Sequence, residues 1–149
     1  MIAIGNDHTA VELKKEIIGL LEEMGLEYKD FGVNETKSVD YPVYAYRTAR
    51  AVAKGECELG IVLCGTGLGV SIAANKVPGA RCALCSEPYS ALMARQHNDA
   101  NVLAMGARVI GPELAKMVAR TFLEGAFEGG RHARRVDMLT RLDSGEALE

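Results

Sequence analysis

No apolar run among these 149 residues approaches the roughly 18–20 needed to span a membrane. Proline is scarce, with 4 residues, and the 16 glycines follow no period. Collagen, coiled coil and disorder are therefore excluded. Charge of one sign does not accumulate: the net charge is −3, which exerts no general pull toward nucleic acid or an anionic membrane. The amino terminus lacks a cationic segment and a cleavage site and opens on an apolar run, Met1-Ile2-Ala3-Ile4. No signal peptide is expected, and the expected location is cytoplasmic. There is no repeat, low-complexity tract or internal linker. What is present is an ordinary globular balance, 48% hydrophobic and 25% charged. The expectation is one domain over 1–149, long enough to bury a core without metal or disulfide staples.

Cysteine is limited to Cys57, Cys64, Cys82 and Cys85. Cys82 and Cys85 have CxxC spacing, but Arg81–Cys85 reads as a buried strand, whereas a thioredoxin-like motif opens a helix. No second CxxC or HxxxH completes a zinc set. These two are expected to be structural, and no metal or cofactor is expected.

Short apolar runs alternate with amphipathic stretches. Strands are expected at Ile2–Gly5, Glu27–Asp30, Leu59–Cys64, Arg81–Cys85 and Asn101–Met105. Helices are expected at Ala10–Met24, Tyr41–Lys54, Val70–Lys76, Glu87–His97, Pro112–Glu124 and Arg131–Leu142, followed by a frayed polar tail. This alternation predicts an α/β, three-layer αβα sandwich: a Rossmann-like five-stranded parallel sheet, order 2-1-3-4-5, with a carboxyl-terminal helix. Ligands in such sheets bind outside the carboxyl ends of the strands, near the topological switch point.

Cys64-Gly65-Thr66-Gly67-Leu68-Gly69 follows a buried strand and precedes a helix. Glycine permits a tight turn and close approach to a ligand, and the helix start offers free N–H groups to an anion. Val70 occupies the place of the third glycine in a dinucleotide fingerprint, and no Gly-Lys-Ser/Thr completes a Walker loop. The loop suits a smaller anion or a developing oxyanion. A thiol beside a helix start is favoured as thiolate, which makes Cys64 a candidate nucleophile or base. Two of the three histidines, His8 and His97, are expected on the active edge; His132 lies among arginines. Arg131 and Arg135, four apart, share one face of the last helix, where positive charge opposes the helix dipole. Two guanidiniums placed there suit a phosphate, and Arg108, after the fifth strand, is expected to join them.

Taken together, several motifs resemble one family. They are Asp7-His8, Asp40-Tyr41-Pro42, Cys64–Gly69, Ser71–Lys76, Cys85–Ser90, Arg95–Asp99, Asn101–Ala104, Gly129–His132 and Arg135. In order and from Met1 to about Leu142, the chain resembles the type B ribose-5-phosphate isomerases, a family that also holds the galactose-6-phosphate isomerase subunits. The resemblance implies an intramolecular oxidoreductase of the pentose phosphate pathway that interconverts ribose 5-phosphate and ribulose 5-phosphate without metal or cofactor. It implies a homodimer, sometimes paired into a tetramer, with sites at the subunit interface. Matched residue by residue, Cys64 is the base and His97 assists ring opening. Asp7, His8, Tyr41, Gly65, Gly67, Leu68, Gly69, Asn98, Arg108, Arg131 and Arg135 contact the sugar phosphate. Thr66 is expected to relay a proton between two substrate oxygens. Some relatives carry a glutamate base just after the loop; here Val70-Ser71-Ile72-Ala73-Ala74 follows, so the chain resembles the cysteine type. The alternatives are an isomerase of a six-carbon 6-phosphate, allose or galactose, and a non-catalytic phosphosugar- or nucleotide-binding module. The last helix, with its thin stripe of Val136, Leu139 and Leu142, is expected to pack across a two-fold interface and deliver its arginines to the neighbouring site.

Overall fold

Runs rich in Ile, Val and Leu become strands, and the amphipathic stretches between them become helices. The computed structural model describes Met1–Glu149. In chain order it contains β1 (Ile2–Asn6), α1 (Val11–Glu23), β2 (Tyr28–Asp30), α2 (Tyr41–Ala53), β3 (Leu59–Cys64) and α3 (Leu68–Ala74). Then come β4 (Cys82–Leu84), α4 (Pro88–Gln96), β5 (Val102–Gly106), α5 (Pro112–Glu124) and α6 (Arg131–Asp143). A 3-10 turn, His8–Ala10, joins β1 to α1.

All paired strands are parallel, and helices cover both faces, as expected. The strand order is β2-β1-β3-β5-β4, so the last two strands exchange the places expected for them. Burial explains the exchange. Every residue of β5 is buried, which suits an interior strand flanked on both sides. Cys82 and Ala83 of β4 are only partly buried, and Leu84 is exposed. The expected buried strand Arg81–Cys85 is thus a short edge strand. The last helix is also tied down at its end, since Asp143 Oδ2 accepts a hydrogen bond from Gly79 N–H at 2.8 Å and Arg141 pairs with Glu146 at 2.8 Å.

Alternation along the strands divides the core into two layers. Ile2, Ile4, Ile61, Leu63, Leu103 and Met105 pack with α1, α4 and α5, around Ile17, Leu21 and Phe122. Ala3, Val62, Cys64, Val102 and Ala104 face α2 and α3, around Ala49, Val52 and Val70. The second layer is built of smaller side chains, which brings α2 close: a Cβ on Gly5 would collide with Thr48 Oγ1.

The chain leaves β1 to β2 on one side and returns to β3 on the other. The switch point therefore lies between β1 and β3. Asp7 N–H donates to Leu63 O there at 3.1 Å, which sets Asn6-Asp7-His8 beside Cys64-Gly65-Thr66.

Candidate active site

Cys64 ends β3 and is 5% exposed. Its Sγ accepts a hydrogen bond from Gly67 N–H at 3.1 Å. Gly67 is left-handed, φ +78, and its Cβ would strike Leu84 and the Met105–Gly106 backbone. That conformation lets α3 begin at Leu68, earlier than the expected Val70. Thr66 Oγ1 accepts from Leu68 N–H at 3.2 Å. The N–H groups of Gly65, Thr66, Gly69 and Val70 have no partner in the chain. They are a run of free donors at the switch point, a feature suited to anions. Gly69 is required by Tyr41, whose ring lies 2.6 Å from where a Cβ would stand.

The opposite wall comes from β1. Asp7 Oδ1 accepts from Thr9 N at 2.9 Å and from Thr9 Oγ1 at 2.6 Å. His8 Nδ1 accepts from Val39 N–H at 3.2 Å. The exposed Arg108, after β5, lies over Gly65, its Nη1 3.6 Å from a Cβ position there. Asp7, His8, Tyr41, Cys64, the Gly65–Gly69 loop and Arg108 thus share the carboxyl edge.

A strap of residues 31–40, where the sequence offers neither a strand nor a helix, crosses this edge. Asn6 holds it by accepting from Val33 N–H at 3.0 Å and donating to Val33 O at 3.0 Å. Lys14, fully buried, places Nζ 2.8 Å from Asp30 Oδ2, 2.7 Å from Val33 O and 2.8 Å from Asn34 Oδ1. All three ammonium donors are used. Lys14 is three residues before Ile17 and seven before Leu21, on the apolar face of α1, and a lysine in that stripe was the available signal.

His97, Asn98, Arg131 and Arg135 are elsewhere. His97 caps the carboxyl end of α4, and β5 starts at Val102, so His97 and Asn98 lie at the amino edge of the sheet. Glu128 N–H donates to Gln96 O at 3.0 Å, bringing the start of α6 to the same edge. The expectation that His97 shares an edge with His8 is corrected: a helix returning between parallel strands ends where the next strand begins. Nor does Arg108 join Arg131 and Arg135 within one chain. The five steps between the six residues of β3, at about 3.3 Å each, separate the two edges by about 17 Å.

The amino-edge group is itself ordered. Asp99, at φ +46, is held by Arg81 Nη2 at 3.3 Å and by Arg95 Nη1 at 3.1 Å. Arg95 Nη1 also donates to Ala100 O at 2.6 Å. This clamp shapes the turn that carries His97 and Asn98. The His97 ring stacks on His132, centroids 4.1 Å apart and planes within 13°. Glu128 Oε2 lies 4.0 Å from His97 Nε2 and 3.8 Å from His132 Nε2. Burial lowers the pKa of His132, and neighbouring His97 and Arg131 lower it further. Arg131, Arg134 and Arg135 are exposed and make no ion pair.

His97, Glu128 and His132 are the three side chains with metal-ligand chemistry in reach of one another. Their rings are stacked face to face, so the in-plane lone pairs run side by side instead of converging on one ion. Cys82 and Cys85 are unsuited to thiolate chemistry: burial, first of all, pushes their thiols up to about 12 and about 11.

The family model described as Ribose/Galactose Isomerase matches residues 2–139. The chain is 53% identical, over 95% of both chains, to the ribose-5-phosphate isomerase B of Escherichia coli. It is 47% identical, over 93% of this chain and 91% of the relative, to the D-erythrulose-4-phosphate isomerase of Pectobacterium atrosepticum. The solved structure of Clostridium thermocellum ribose-5-phosphate isomerase B superposes with a TM-score of 0.95 at 51% identity, covering 97% of each chain.

Proposed function

From the chain's membership of the ribose/galactose isomerase family, we propose that it interconverts ribose 5-phosphate and ribulose 5-phosphate with Cys64 as base. The observation that carries this reading is Cys64 Sγ at the β1/β3 switch point, 3.1 Å from Gly67 N and beside free N–H donors. The Cys64 thiolate takes the proton from C2 of the open aldose, and the electron pair forms the C1–C2 double bond of an enediolate. Negative charge gathers on O1, where preorganised N–H donors stabilise it. The Thr66 hydroxyl relays the O2 proton to O1. The Cys64 thiol then returns its proton to C1 as C2 becomes the carbonyl. Atoms and electrons balance without a redox partner.

Phosphate is held by His8, Arg108, Arg131 and Arg135, and this remote binding positions C1 and C2 over sulfur. His97 opens the furanose. With about 17 Å between the two edges of one sheet, one small sugar phosphate cannot touch both in a single chain. The site is therefore assembled by a homodimer, one protomer supplying the carboxyl edge and its partner His97, Asn98, Arg131 and Arg135. Exposed Leu68 (54%), Ile72 (60%), Tyr89 (70%) and Val109 (59%) offer that dimer an apolar surface.

The decisive experiment is conversion by the purified protein of ribose 5-phosphate beside allose 6-phosphate and erythrulose 4-phosphate, with and without chelator. Preference for the pentose phosphate in kcat/KM, unchanged by chelator, is expected. Preference for either other sugar reassigns the substrate while keeping the chemistry, and the relative named for erythrulose 4-phosphate makes that comparison necessary.

A further inference from the structure

His132 and Glu128 have no part in the chemistry above, yet both sit against His97. We propose that they are positioning residues that hold the His97 ring, with its Nδ1 edge free, for opening the sugar ring. The inference rests on the isomerase reading and deepens it.

The geometry divides the task. His132 covers one face of the His97 ring at 4.1 Å, which resists tilting of the ring toward that side. Glu128 Oε2 faces the Nε2 edge of both rings, at 4.0 and 3.8 Å. This leaves the Nδ1 edge of His97 for the sugar. Two imidazolium rings at that separation repel each other, and burial, then His97 and Arg131, disfavour the charged form of His132 against the opposing pull of Glu128. Glu128 is the counter-charge available to the His97 ring when it passes a proton to the sugar. Glycine at 129 and 130, at φ +67 and +57, provides the turn that places Glu128 and His132 together on one side of His97.

In the ring-opening step, His97 gives its proton to O4 as the C1–O4 bond breaks and its electron pair goes to O4. The O1–H electrons form the C1 carbonyl, and that proton passes to water. No electron leaves the system, and His97 is reprotonated from solvent. This step serves only a cyclic substrate. Ribose 5-phosphate closes through O4, whereas O5 of ribulose 5-phosphate is esterified and the ketose stays open. Cys64 and the glycine loop handle the open form unaided.

The test compares both directions of the reaction in the intact enzyme. His132→Phe keeps a stacked ring and removes its nitrogens; Glu128→Gln removes the counter-charge from a residue that is 52% exposed, so the fold is not at risk. Both should lower kcat/KM for ribose 5-phosphate by about tenfold or more, while initial rates from ribulose 5-phosphate stay within about threefold. The overall equilibrium is respected, because the variants release and accept free aldehyde, which closes and opens in water. Equal losses in the two directions would reduce the pair to structural support, and no loss from ribose 5-phosphate would remove it from the reaction. Wild-type enzyme inactive in both directions would instead overturn the isomerase reading itself.

Discussion

Cys64 differs from the other three cysteines in its surroundings more than in its burial. A backbone N–H points at its sulfur, while burial raises the thiols of Cys57, Cys82 and Cys85. Iodoacetamide should alkylate Cys64 first, with protection by ribose 5-phosphate; mass mapping that finds all four labelled at one rate would contradict the assignment. Cys64→Ala should lower kcat by about 10²–10⁴-fold, the usual worth of a general base, with ligand affinity by calorimetry within a few-fold. Arg131 and Arg135 show the opposite balance. Both are exposed and unpaired in the chain, so Arg131→Ala and Arg135→Ala should move thermal stability by no more than about 0.5 kcal/mol. Each should raise KM through loss of a charged hydrogen bond worth about 1.5–3 kcal/mol. Unphosphorylated ribose turned over as well as its phosphate would refute this.

At the scale of elements, the strap over the carboxyl edge depends on one buried cation. Lys14→Met leaves Val33 O and Asn34 Oδ1 without their donor and Asp30 without its partner. A stability loss of about 1–3 kcal/mol is expected in urea unfolding, with faster amide exchange at Val39, whose N–H rests on His8. An unchanged midpoint would show that solvent replaces the lysine. Helix α4 has a pH-sensitive start, because Glu87 accepts from Ser90 N–H at 3.0 Å and these hydrogen bonds lower its pKa. A carboxyl lowered in the folded state stabilises above its ordinary value and loses that contribution as pH falls through the folded value. Glu87→Gln should therefore destabilise at neutral pH, and its difference from wild type should shrink below the ordinary glutamate range.

At the scale of the molecule, the proposed site is divided between the two edges of the sheet. Cys64→Ala subunits, inactive as homodimers, and Arg135→Ala subunits, impaired at ribose 5-phosphate well below their raised KM, should complement under those conditions when mixed under exchange. Half the dimers in a random mixture are mixed, and one of their two sites is intact, so about a quarter of wild-type activity should return. No recovery, with exchange confirmed by mass, would place both residues in one chain's site. The amino-acid order alone determined the strand and helix segments, the parallel sheet and the glycine loop after β3. These follow from local periodicity and from what glycine permits, and neighbours in sequence suffice to express them. The site motifs were legible for the same reason: each is a short run. Tertiary structure decided which of the last two strands is interior, and it put the fully buried β5 between β3 and β4 because the partly buried β4 suits only an edge. It also decided that His97 lies on the edge opposite Cys64, since a helix between parallel strands must return to where the next strand starts. The buried Lys14 and the His97–His132 stack belong with these, because each joins residues distant in the chain whose proximity only packing creates.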